Sequence, residues 1–239
     1  MNDTLVTDLS LTALMLVAGG LCGLLNPKQF SWRWLLYAGG LVLAYNFLLS
    51  NGYGLLPNFL GGSWNWQGMA LAFIGMLAFA LLPGLGWKQS GLTLAQTPGS
   101  LRWAIPVALV YCLYPIAIRF AFGGSDPTPE AIAFQATLPG MTEETFYRGV
   151  LLLALDQSLR GRVRFAGVEW GFGAVLSCAL FGAVHAFGYG DGKFSFDTLT
   201  FLLTGVPAFV AVWLRYRTGS VLLPIIVHNF GNSFQMTFR

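Results

Sequence analysis

The sequence predicts an all-α integral membrane protein, a bundle of about eight transmembrane helices forming a single membrane domain over residues 1–239. Three observations lead there. Hydrophobic residues make up 55% of the chain and charged residues only 10%, where a soluble domain carries roughly 25% charged residues. The apolar residues are gathered into eight runs, most of them close to the about 17–25 residues needed to cross a bilayer. Basic residues alternate from loop to loop along the chain.

The runs fall at residues 9–25, 33–50, 68–86, 102–122, 142–159, 169–188, 197–214 and 220–236. Asn26-Pro27, Pro83-Gly84, Gly123-Gly124 and Thr218-Gly219 punctuate them, as helix-stopping pairs do. Trp32, Trp34, Trp64, Trp66, Trp87, Trp103, Trp170 and Trp213 lie mostly near run ends, where an interfacial aromatic belt is expected. The N-terminus lacks the basic region and small-residue cleavage site of a secretory signal, so the first run is read as a retained span. Cys22, Cys112 and Cys178 sit singly inside apolar runs and suggest neither a disulfide framework nor a CxxC metal site. The net charge of +3 comes from scattered basic residues, which gives no nucleic-acid footprint.

Lys28 and Arg33 follow the first run, Lys88 and Arg102 the third, Arg160, Arg162 and Arg164 the fifth, and Arg215 and Arg217 the seventh. The intervening loops carry no basic residue, or, after the sixth run, Lys193 between Asp191 and Asp197. Basic loops are cytoplasmic under the positive-inside rule. Both termini are then expected outside, as an even number of spans requires.

The chemistry is expected in three places. The first is Met141-Thr-Glu-Glu-Thr-Phe-Tyr-Arg-Gly149, at the mouth of an apolar run. Ionisable groups at such a position are costly and point to function. Glu144 and Arg148 are four apart and can pair on one helix face. Glu143 projects about 100° away, available as a general base. The competing reading is a helix start, with Thr142 as cap and the glutamates favouring the dipole. The second place is Phe181-Gly-Ala-Val-His185, where Gly182 permits close helix approach and His185 could instead only bond a neighbouring helix. The third is His228-Asn-Phe-Gly-Asn232: His228 and Asn232 share a face and Asn229 lies round from them. These polar groups are too costly to be lipid-facing decoration. A rise of ~1.5 Å per residue through a ~30 Å core places all three in the outer half of the bilayer, within reach of one wet cavity.

A carboxylate can take a proton from water, and a histidine and an asparagine can hold that water or donate to an oxyanion. Peptide hydrolysis within the membrane is the function this suggests. The absence of GxSxG and HExxH leaves a serine nucleophile and a zincin unsupported. A zinc held by His185, His228 and Glu143 stays open, because two histidines and a glutamate can ligate catalytic zinc.

Glu143-Glu144-x-x-x-Arg148 with Tyr147 and Gly149, Phe181-x-x-x-His185 and His228-x-x-x-Asn232 resemble the three motifs of the CPBP family, the CAAX-protease and bacteriocin-processing membrane proteins also called Abi. The resemblance covers residues 141–236. It implies a glutamate-dependent intramembrane endopeptidase with an eight-helix core and no metal or other cofactor. Glu143 would activate water with help from His185, His228 and Asn232 would form the oxyanion site, and Glu144 and Arg148 would support it. The charge pattern opens the site outward, whereas prenylated CAAX substrates are cytosolic. The expected partners are therefore membrane lipid and an exported or membrane-anchored polypeptide, in a setting such as a prokaryotic cytoplasmic (inner) membrane. The alternatives are a non-catalytic immunity or binding protein that keeps the motifs, a zinc-dependent variant, and a proton-coupled transporter, which would lack the usual repeats.

Overall fold

In the computed structural model, residues 2–58, 62–123 and 128–236 are described. The chain is mostly helical, and each of the eight apolar runs contains helix, while Pro129–Gln135 falls between runs. They are α1 (Asp3–Leu25), α2 (Trp32–Leu55), α3 (Trp66–Phe79), α4 (Leu101–Tyr111), α5 (Leu113–Phe122), α6 (Pro129–Gln135), α7 (Leu138–Glu144), α8 (Leu151–Ser158), α9 (Phe172–Ala186), α10 (Thr198–Gly205), α11 (Ala208–Thr218) and α12 (Leu222–Gln235). A π-helical turn, Thr145–Val150, joins α7 to α8. Among the described residues three helical stretches are long and apolar enough to cross a membrane: Asp3–Leu25, Leu101–Phe122 and Thr198–Thr218. These fit an integral membrane protein.

The boundaries correct the sequence reading in several places. The third run stops at Phe79 rather than at 86. Gly84 there has φ +83°, and a Cβ on it would fall 2.7 Å from the Trp34 ring. The fourth run breaks at Cys112, because Pro115 has no N–H and its ring crowds the carbonyl of Tyr111. The seventh breaks at Val206 and Pro207, then continues to Thr218. Gly219 ends it with φ +74°, the left-handed cap that glycine adopts without strain. In the sixth run the helix, α9, begins at Phe172, not 169, because Val163–Phe165 (β1) and Val168–Trp170 (β2) form a hairpin. A second hairpin pairs Phe187–Gly190 (β3) with Lys193–Phe196 (β4). The all-helical expectation thus holds for the bundle and misses these two ribbons. Gly124, read as part of the stop after the fourth run, lies outside the described residues.

Helix α2 is central and packs on α1, α3 and α8. Tyr45 stacks on Phe146 with ring centroids 4.0 Å apart, tying α2 to the π turn. Helices α9 and α10 meet at glycines: a Cβ on Gly182 would lie 3.0 Å from the Gly205 Cα, so the small residue does set that approach. Helix α12 packs on α5 and α7.

The four basic segments gather at one end of the bundle. The Arg160 N–H donates to the Gln29 carbonyl (2.9 Å) and the Ser31 N–H to the Ser158 carbonyl (2.8 Å). Arg215 donates to the Gln89 carbonyl (2.6 Å) and Arg217 to that of Gly167 (3.3 Å). The poorly basic segments gather at the other end. There Glu130 accepts from the Ser63 and Trp64 N–H groups (2.9 and 3.1 Å) and from the Trp66 indole (3.1 Å). These donors, the Ser63 and Trp64 backbone foremost, hold its carboxyl below the usual carboxylate range. The Tyr189 N–H likewise donates to the Thr7 hydroxyl (3.0 Å).

Candidate active site

The three motifs meet. Helix α7 starts at Leu138, one turn earlier than the sequence suggested. Thr142 is therefore not a cap: it is fully buried, and its hydroxyl donates to the Met69 carbonyl (3.0 Å). The helix-start explanation of the two glutamates goes with it. Glu143 and Glu144 end α7, and the π turn carries Arg148. An inserted π turn re-aims side chains and often marks a functional site. Ser177 of α9 donates to the Tyr147 carbonyl within it (2.7 Å). Gly149 lets this turn press on the chain at Ser90, whose carbonyl would lie 3.1 Å from a Cβ there.

Glu144 and Arg148 form an ion pair at 3.1 Å, with side chains 1% and 2% exposed. The guanidinium also lies over the Phe181 ring, 4.1 Å from its centroid. The other carboxylate oxygen of Glu144 is 2.7 Å from His228 Nδ1. With Arg148 on one oxygen and His228 on the other, Glu144 acts as acceptor and Nδ1 as donor. His228 Nε2 then faces Glu143, whose Oε2 is 3.8 Å away. That oxygen is buried and has no hydrogen-bond partner among the described residues. The sequence anticipated the Glu144–Arg148 pair but not that it continues into His228.

His185 Nδ1 is 2.8 Å from the Phe181 carbonyl. A carbonyl only accepts, so Nδ1 carries a proton and the neutral ring offers its Nε2 lone pair. Glu143, Glu144, Arg148, His185, His228 and Asn232 all line one cavity of ≈280 Å³. Asn232 has no side-chain hydrogen bond among the described residues. Asn229, by contrast, is a clamp: its Oδ1 accepts from the Gly140 N–H and its amide donates to the Thr137 carbonyl, both at 2.8 Å. It fixes α12 to the start of α7, so its apparent functional signal was structural.

The sequence reading missed the wall facing the motifs. Tyr111, Tyr114, Pro115 and Ile118 line the cavity from the α4–α5 junction. Gln235 donates to the Pro115 carbonyl (2.9 Å) and Gly231 packs on the Pro115 ring, holding α12 against α5. Spacing 111, 114/115, 118 on one helix face was the available signal, but in an apolar run it reads as packing. Among the described residues no three His, Cys, Asp or Glu side chains converge as metal ligands.

Residues 127–234 match a family model described as type II CAAX prenyl endopeptidase Rce1-like. No curated protein and no solved structure matches the chain.

Proposed function

We propose, from the premise that residues 127–234 form an Rce1-like type II CAAX endopeptidase domain, that this intramembrane endopeptidase hydrolyses its substrate with water activated by Glu143. The observation that carries this reading is the buried Arg148–Glu144–His228 chain ending beside Glu143, with His185 and Asn232 on the same cavity. Glu143 takes a proton from water, with the His185 Nε2 lone pair as a second acceptor. The water oxygen adds to the scissile carbonyl carbon. His228 and Asn232 donate to the oxygen that becomes negative. The C–N bond then breaks, and the amine leaves with the proton held by Glu143. Because Nδ1–H is committed to Glu144, His228 can donate through Nε2 only as an imidazolium. Glu143 and Glu144 on either side support that charge. A fixed donor of this kind is worth about 3–4 kcal/mol, or 10²–10³ in rate.

We assign eight spans, with the basic end cytoplasmic and both termini outside. The site lies toward the outer end, which suits an exported or membrane-tethered polypeptide better than a cytosolic prenylated one. A cysteine at Asp191 is expected to react with a membrane-impermeant thiol reagent applied to intact cells, and one at Arg162 is not. The reverse pattern would put the site near the cytosol and restore a cytosolic substrate.

The chemistry is tested on detergent-purified protein with a model membrane substrate. Cleavage is expected to survive exhaustive chelation, since each group assigned a role here acts without a metal. Loss of cleavage in EDTA, restored by zinc, would favour a metalloprotease.

A further inference from the structure

A second cavity, of ≈230 Å³, also reaches Glu143 and His185. It shares those two residues with the first cavity and otherwise has walls of its own. Thr7, Asp8 and Leu11 of α1 form one side, and Tyr45, Asn46, Leu49 and Ser50 of α2 the other. Its polarity is out of place. Asp8 and Asn46 stand in apolar helices, and Asn46 is 8% exposed while donating to Asp8 (3.0 Å). An ionisable side chain inside a membrane bundle commonly faces a water-filled cavity or a substrate, ion or proton path. Tyr45 is 1% exposed, lines the cavity, and its hydroxyl has no partner among the described residues. Exposure rises from Tyr45 and Asn46 through half-buried Thr7 and Asp8 to exposed Ser50. Ser50 lies in the last two turns of α2, at the poorly basic end of the bundle.

We propose that this rear cavity is a water conduit that feeds Glu143 and His185 separately from the substrate. The proposal rests on the hydrolytic function above. A polypeptide seated in the front cavity displaces the water there, yet each turnover consumes one. At about 30 Å³ per water, the rear cavity holds several, and a buried water needs two to four polar partners. Thr7, Asp8, Tyr45, Asn46 and Ser50 supply them. Water in the conduit also completes the hydrogen bonding of the Tyr45 hydroxyl and of Glu143 Oε2. Asp8 and Asn46 act as positioning residues, holding the conduit wet between two apolar helices.

Two variants test this in a background with Cys22, Cys112 and Cys178 replaced by alanine. Val184 lines the rear cavity and not the front one. Val184→Cys is expected to react with a small, water-soluble methanethiosulfonate, including when a substrate peptide occupies a Glu143→Gln protein. Adding Ser50→Trp narrows the mouth. It is expected to slow that labelling and lower kcat about tenfold, part of the roughly 10²–10⁴-fold that general-base catalysis supplies, with KM and the melting curve unchanged. Three results would overturn the conduit: a Val184→Cys protein that resists labelling, kcat unchanged while labelling stops, or a rise in KM alone, which would make the cavity a substrate subsite. Labelling needs no catalysis. An inactive parent protein would therefore count against the proposed function and leave labelling to decide the conduit.

Discussion

Glu143→Gln is expected to abolish cleavage while leaving fold and substrate binding intact. Glutamine keeps the size of the side chain and its ability to hydrogen-bond, but it cannot take a proton from water. General-base catalysis contributes about 10²–10⁴ in rate, so the residual activity should sit at least that far down in kcat, with KM unmoved. The geometry makes a fold defect unexpected. Among the described residues Glu143 has no hydrogen bond to lose: His228 Nε2 lies 3.8 Å from its Oε2, and that oxygen is without a hydrogen-bond partner. Cleavage at near wild-type rate by Glu143→Gln would end the glutamate-base mechanism. If instead Glu144→Gln alone were inactive and well folded, the two carboxylates would exchange roles.

What the sequence could and could not reveal follows from the physics of each signal. Apolar runs locate helices because a helix satisfies its backbone groups within a single segment inside lipid. Each of the eight runs accordingly contains helix, though not to its full length, and the i,i+4 spacing of Glu144 and Arg148 gave their pairing directly. The misses are where local pattern does not encode tertiary partners. Asn229 looked like a site residue because a polar side chain in an apolar helix is costly, and that cost is met equally by capping another helix's backbone at Thr137 and Gly140. The two hairpins escaped because Val168–Trp170 continues an apolar run and Phe187–Gly190 extends one. Asp8 and Asn46 are 38 residues apart, one just before the first run and the other inside the second, and neither gives any indication of the other.

Arg148→Ala is expected to fail differently, losing stability along with activity. Glu144 is 1% and Arg148 2% exposed, so solvent screens their interaction little. Removing one member of a buried pair leaves the other charge uncompensated, at about 3–5 kcal/mol. The variant also loses the guanidinium packed on Phe181 and leaves Glu144 free to turn away from His228. Expression and melting temperature should both drop. Replacing both partners with apolar residues of similar volume is often nearly neutral, so Glu144→Leu with Arg148→Met should recover much of the lost thermal stability. It should not recover cleavage, because His228 Nδ1 then has no acceptor to set its ring and support its charge. That split between a rescued melting curve and an unrescued kcat separates a brace for His228 from a merely structural ion pair. A double variant that regains both would show that the pair serves the fold alone, and an Arg148→Ala protein of wild-type stability and activity would remove the chain from the mechanism altogether.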